Sequence, residues 1–211
     1  RGNRGRNNRI PPYEPGFRTK VKDVEQSHIY LGTKTIPMED ELYYPMTLFN
    51  SVMGGSMSSR LFQSIREQHG LAYSVYSGFH PYTCDGIFHI YAGVSHEKIE
   101  KAIKGIADEM NKLDHEGVTE DELLIAKEQL KSSFVFSQEN INNKMYANGK
   151  NLLLKDKILY PKDVIGQIDR VSMEDIHVVA DKMALWDRYS AVLISREDLD
   201  LKKILEGVRD E

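Results

Sequence analysis

One cysteine, Cys84, and one tryptophan stand among the 211 residues of this chain. A lone thiol excludes an intrachain disulfide framework and a cysteine-rich zinc site, and it favours a reducing compartment. Long hydrophobic runs are also missing. No apolar stretch approaches the roughly 20 residues of a membrane helix, and no signal-peptide core follows the N-terminus. The expected chain has no membrane span and resides in the cytoplasm. Charge excess is small, with a net charge of -4 and no basic stripe along the body, so nucleic acid is not an expected partner. Neither a phosphate-binding glycine loop nor a nucleophile elbow occurs. What is present, 40% apolar residues over this length, suffices for one domain with a sizeable core.

The opening Arg1-Gly2-Asn3-Arg4-Gly5-Arg6-Asn7-Asn8-Arg9 contains no apolar side chain and cannot bury itself. Its arginines suit an RG-type nucleic-acid tail, but a solvated linker or cut end accounts for them more simply. Pro11-Pro12-Tyr13-Glu14-Pro15-Gly16 is stiff and turn-rich. Residues 1–16 are therefore assigned to a flexible linker or cut end, and 17–211 to a single domain.

Within that domain, His28 and Tyr30 alternate with Ile29 and Leu31, which predicts a strand over 26–33. Pro45 suits the first turn of a helix whose buried stripe is Leu48, Phe49, Val52 and Met53, ended by Gly54-Gly55. Ser58 or Ser59 can cap a second, short helix with Leu61, Phe62 and Ile65 inward, stopped by a left-handed Gly70. A period of two then places Tyr73, Val75, Ser77 and Phe79 on one strand face and Ala72, Ser74 and Tyr76 on the other. Asp85-Gly86 signals a hairpin turn, returning through Ile87 to Val94. Ile99 to Leu113 forms an amphipathic helix closed by Gly117. A capping box at Thr119–Glu122 opens the next. No glycine or proline recurs before Gly149, so one unusually long helix is expected, with Leu123, Ala126, Leu130, Phe134, Ile141 and Met145 along one face. Pro161 and Ser172 start two more helices, Tyr189 to Ser195 a last strand, and Leu201 to Val208 a closing helix. This order predicts an α+β two-layer sandwich, helices on one face of a mainly antiparallel sheet.

The densest motif is Gly54 to Tyr73, where Arg66 and Tyr73 fall seven residues apart across the glycine turn. Both are directional donors suited to a peptide carbonyl or an oxyanion. Read singly, Arg66 is also a cation complementing a helix C-terminus, and Tyr73 a half-buried strand aromatic. Gly54-Gly55, Ser58-Ser59-Arg60-Leu61-Phe62, Arg66-Glu67 and Gly70-Leu71-Ala72-Tyr73-Ser74 together resemble the second-domain signature of the M16 metallopeptidases. That family includes mitochondrial processing peptidase, insulin-degrading enzyme and bacterial zinc proteases. The strand Val24 to Gly32 and the element order fit as well.

The inverted zinc motif of that family, His-x-x-Glu-His, is absent: none of His28, His69, His80, His89, His96, His115 and His177 pairs around a glutamate at this spacing. The resemblance therefore implies the C-terminal half of a two-domain unit, with no metal site of its own. Zinc and general base would come from an N-terminal domain carrying that motif, in homo- or hetero-dimers of two-domain units acting on peptides or unfolded segments. Arg66 and Tyr73 match the substrate-contacting positions, with Gly54, Gly55 and Arg60 as supporting candidates. A second expectation is a non-catalytic M16-like scaffold or assembly subunit.

Overall fold

Apolar residues alternate along the strands, and their register defines the architecture of the computed structural model, which describes residues 12–209. Strands β1 (Phe17–Val21), β2 (Ser27–Thr35), β3 (Ala72–Pro81), β4 (Gly86–Val94) and β5 (Ser190–Ser195) form one sheet in the order β1-β5-β2-β4-β3. All neighbours are antiparallel except β1 and β5. The sequence pattern did not announce β1; its five residues find their place by pairing with a strand from the far end of the chain.

Ile29, Leu31, Phe88, Ile90, Ala191 and Leu193 point to one side and are fully buried. Against them pack α1 (Tyr43–Gly54), α2 (Ile99–Glu116) and α6 (Met173–Met183), through Phe49, Met53, Ile103, Ile106, Ile176 and Val179. Tyr189, also fully buried, donates its hydroxyl to the Met183 carbonyl at 2.8 Å. The expected α+β sandwich, with helices on one face, is the fold observed. The opposite face of the sheet carries no helix among the described residues, and Tyr30 and Tyr76 on it are each 41% exposed.

Three local expectations are corrected. The long helix is two: α3 (Glu120–Glu139) ends where Asn140 leaves helical geometry and caps α4 (Ile141–Lys155) by accepting from the Asn142 and Asn143 amides. Ile141 and Met145, expected on a buried face, are exposed. Neither Ser58 nor Ser59 caps the second helix; Ser59 is buried and donates to the Ser56 carbonyl, and residues Phe62–Gln68 form a π-helical turn. The hairpin loop is 82–85, closed by the Tyr82 amide on the Asp85 carbonyl, and Gly86 already belongs to β4. Helices α5 (Pro161–Arg170) and α7 (Leu201–Arg209) complete the layer. Residues 1–11 of the expected linker lie outside the described residues. Tyr13, in its remainder, is tied to the Gly32 and Arg188 carbonyls and to Ser190 Oγ.

Candidate peptide-gripping corner

The C-terminus of α1 lies hard against β3. A Cβ on Gly54 would sit 2.2 Å from the Ser77 amide nitrogen, and Ser77 Oγ donates across the gap to Asn50. Gly54 is therefore required by close approach of helix and strand, and Gly55, whose φ of -85° any residue adopts, by crowding against Ser51. Neither glycine is read as touching a ligand.

Beyond this contact the chain enters the π-helical turn, in which the His69 amide bonds to the Ser64 carbonyl five residues back. Single π turns of this kind concentrate at functional sites. Gly70, at φ +58°, then reverses the chain. Its amide donates to the Arg66 carbonyl, the Leu71 amide to the Ile65 carbonyl, and Lys98 Nζ caps the Gly70 carbonyl at 2.8 Å. The start of β3 is thereby fastened to the turn that carries Arg66.

Arg66 is exposed, its guanidinium 4.8 Å over the Phe62 ring and only loosely paired with Glu67 at 3.9 Å. A stacked, weakly paired guanidinium keeps its donors available. Tyr73 is 66% exposed. It does not share a face with Val75, as strict alternation predicts, because the β3–β4 register shifts between Ala72 and Ser74. Such a bulge re-aims one side chain, and here Tyr73 is the extra residue. Arg60, in contrast, forms a fork with both carboxylate oxygens of Glu122, at 2.6 and 2.7 Å, and donates to the Gly117 carbonyl. Burial raises the Glu122 carboxyl, but Arg60 and Thr119 outweigh it and hold it below its ordinary value. Arg60 clamps the turn to the N-terminus of α3; the downstream capping box was the sequence signal for its partner.

The histidines do not assemble a metal centre. His96 spends both ring nitrogens on Ser27 Oγ and the Val24 carbonyl, at 2.6 and 3.1 Å, while His80 and His89 lie as parallel rings 5.1 Å apart. Among the described residues no group of three or more His, Cys, Asp or Glu side chains is placed to hold an ion. The donor groups among the described residues do not fit zinc.

The open face of the sheet, which the sequence pattern left unassigned, carries a second cluster. Tyr30, Tyr91 and Tyr76 stand in register across β2, β4 and β3, with ring centroids 4.9 Å apart at each step. His28 Nδ1 meets Tyr91 Oη at 2.8 Å. Hydrogen bonding to Tyr30, with burial, pushes the Tyr76 phenol up to about 12.

A family model described as the peptidase M16 inactive domain matches residues 4–130. The chain belongs to the M16 peptidase family. It is 38% identical over 185 residues to the uncharacterized zinc protease YmxG of Bacillus subtilis, covering 88% of this chain and 45% of that protein. A zinc protease of Rickettsia felis is 38% identical over 163 residues, 77% of this chain and 39% of the relative. The chain thus spans less than half the length of these relatives. Among solved structures, the M16 inactive domain from Pseudomonas fluorescens superimposes with a TM-score of 0.76 at 25% identity, over 90% of this chain and 45% of that one. A protease from Helicobacter pylori shares the fold, with a TM-score of 0.78 at 20% identity, over 87% of this chain and 45% of that one.

Proposed function

We propose that this M16 domain is the substrate-gripping, chamber-closing half of a zinc endopeptidase acting on peptides or unfolded segments, completed by an N-terminal domain that carries the metal and the general base. Zinc in that other domain supplies the activated water. This chain's contribution is two donors. The Arg66 guanidinium anchors a substrate carbonyl, and the Tyr73 hydroxyl donates to the carbonyl oxygen as negative charge builds on it. The observation that carries this reading is the bulge: it turns Tyr73 out of the sheet pattern, beside a turn whose arginine is exposed and only loosely paired.

The test is kinetic, in the full two-domain protein. Arg66→Ala and Tyr73→Phe are each expected to lower kcat/KM on the order of 10²–10³-fold, the usual effect of removing one oxyanion donor. Zinc content should not change. Wild-type kinetics in both variants would return the domain to a scaffold role.

A further inference from the structure

Five strands place their outward residues in cross-sheet rows. One row runs Arg18, Val192, Tyr30, Tyr91, Tyr76; the next runs Lys20, Ile194, His28, Gly93, Ser74. Two further rows add His89, then Lys34, Ile87 and His80. The face therefore combines tyrosines, histidines and three cations, of which Lys34 pairs with Asp85 of the hairpin loop at 3.2 Å while Arg18 and Lys20 project from β1; no carboxylate occupies an outward ladder position. In a chain of net charge -4, this is a segregation of positive charge that linear reading misses, because Arg18, Lys20 and Lys34 are dispersed in sequence. One acceptor is left over. Gln26 Oε1 is buried without a hydrogen-bond partner, and with Ser74 Oγ and Tyr91 Oη it surrounds the bare backbone of Gly93, each within 3.0 Å of where a Cβ would stand.

We infer that this open sheet face docks an acidic, aromatic-bearing stretch of extended polypeptide. The inference rests on the proposed function in taking that stretch to be the flank of the peptide held at Arg66 and Tyr73. Continuity supports it, since Ser74 and Tyr76 follow Tyr73 on the same strand. The cations meet the acidic side chains, and the tyrosines offer edges and faces to aromatic ones. Two other occupants fit less well. A second copy laid face to face opposes one cation-bearing, carboxylate-free face to another, since a two-fold interface pairs the same patch on both copies. Single-stranded nucleic acid finds stacking here, but the face offers too few cations to track a phosphate on every nucleotide.

The experiment measures binding by fluorescence anisotropy on the 211-residue chain, using two labelled peptides identical except that Asp and Glu in one are Lys in the other. The acidic peptide is expected to bind at least about tenfold more tightly at low ionic strength, with the contrast shrinking as salt screens the face. The double variant Arg18→Glu/Lys20→Glu should abolish the preference, and Lys34→Glu, on a different strand, should weaken it independently. Tyr76→Ser should weaken both peptides. Equal affinities in the wild type overturn the inference, as does a labelled oligonucleotide that binds more tightly than the acidic peptide, or a dimer in sedimentation that dissociates on Tyr76→Ser. Binding is read without cleavage. Loss of the acidic preference therefore sinks the docking face alone, whereas unchanged cleavage in Arg66→Ala and Tyr73→Phe sinks the grip alone.

Discussion

His80 and His89 are stacked at 4° between ring planes, so two imidazoles that would repel as cations share one contact. Burial first, and the charge of His80 second, lower the His89 pKa below its ordinary 6.5. The folded state thus binds the His89 proton less readily than the unfolded state does. The stability this contributes is present above pH 6.5 and is lost as pH falls through the folded value. Carbon-13 and nitrogen-15 shifts of the imidazoles in a pH titration should show His89 neutral when exposed histidines are already protonated. In His80→Ala the His89 pKa should rise only part of the way to 6.5, because burial is the larger cause. A full return would assign the shift to the neighbour instead. This pair lay outside any reading of the sequence, since a diagonal contact across β3 and β4 depends on the register that the 82–85 loop sets. Arg66 and Tyr73 were legible as residues for a different reason: the glycine turn between them is local. Where Tyr73 points was not legible, because a bulge is a property of the strand pair and leaves no period in one strand.

Elements were most readable where local chemistry alone decides them. The capping boxes at Thr119 and Ser172 close in the structure with both reciprocal bonds, as their spacing requires. The break at Asn140 is marked by no glycine or proline in the sequence, because an asparagine capping the next helix removes neither a donor nor a helical φ. Gly54 shows the opposite limit: its sequence role as a helix stop is less demanding than its packing role against Ser77. Gly54→Ala gains helix propensity, at most about 1 kcal/mol, but forces a methyl into the backbone of β3. Overpacking of this kind typically costs 1–3 kcal/mol. The expected outcome is a net loss of about 1 kcal/mol, seen as a lower urea midpoint at unchanged slope. Gly149→Ala is the control, because nothing lies within 4 Å of its added methyl. There the propensity gain should stand alone and the midpoint should rise.

At the scale of the whole molecule, the sheet and its helical layer form one core, yet the chain matches only 45% of the length of YmxG. The proposed division, a gripping corner on this half with metal and base on the other, can be tested by separation. The 211-residue chain should bind no stoichiometric zinc by metal analysis and should leave a quenched peptide uncut. The proposed complement, an N-terminal half bearing His-x-x-Glu-His, should bind zinc but cleave slowly if the oxyanion donors are those of this chain. Mixing the two should restore cleavage with a dependence on the concentration of this chain that saturates as the halves associate. Restoration by Arg66→Ala/Tyr73→Phe chains should reach the same zinc content and the same half-saturation while the plateau rate stays low. That separation of assembly from rate distinguishes a grip on the reacting carbonyl from a lid that merely holds the chamber shut. Zinc-dependent cleavage by the isolated 211-residue chain would refute the division outright.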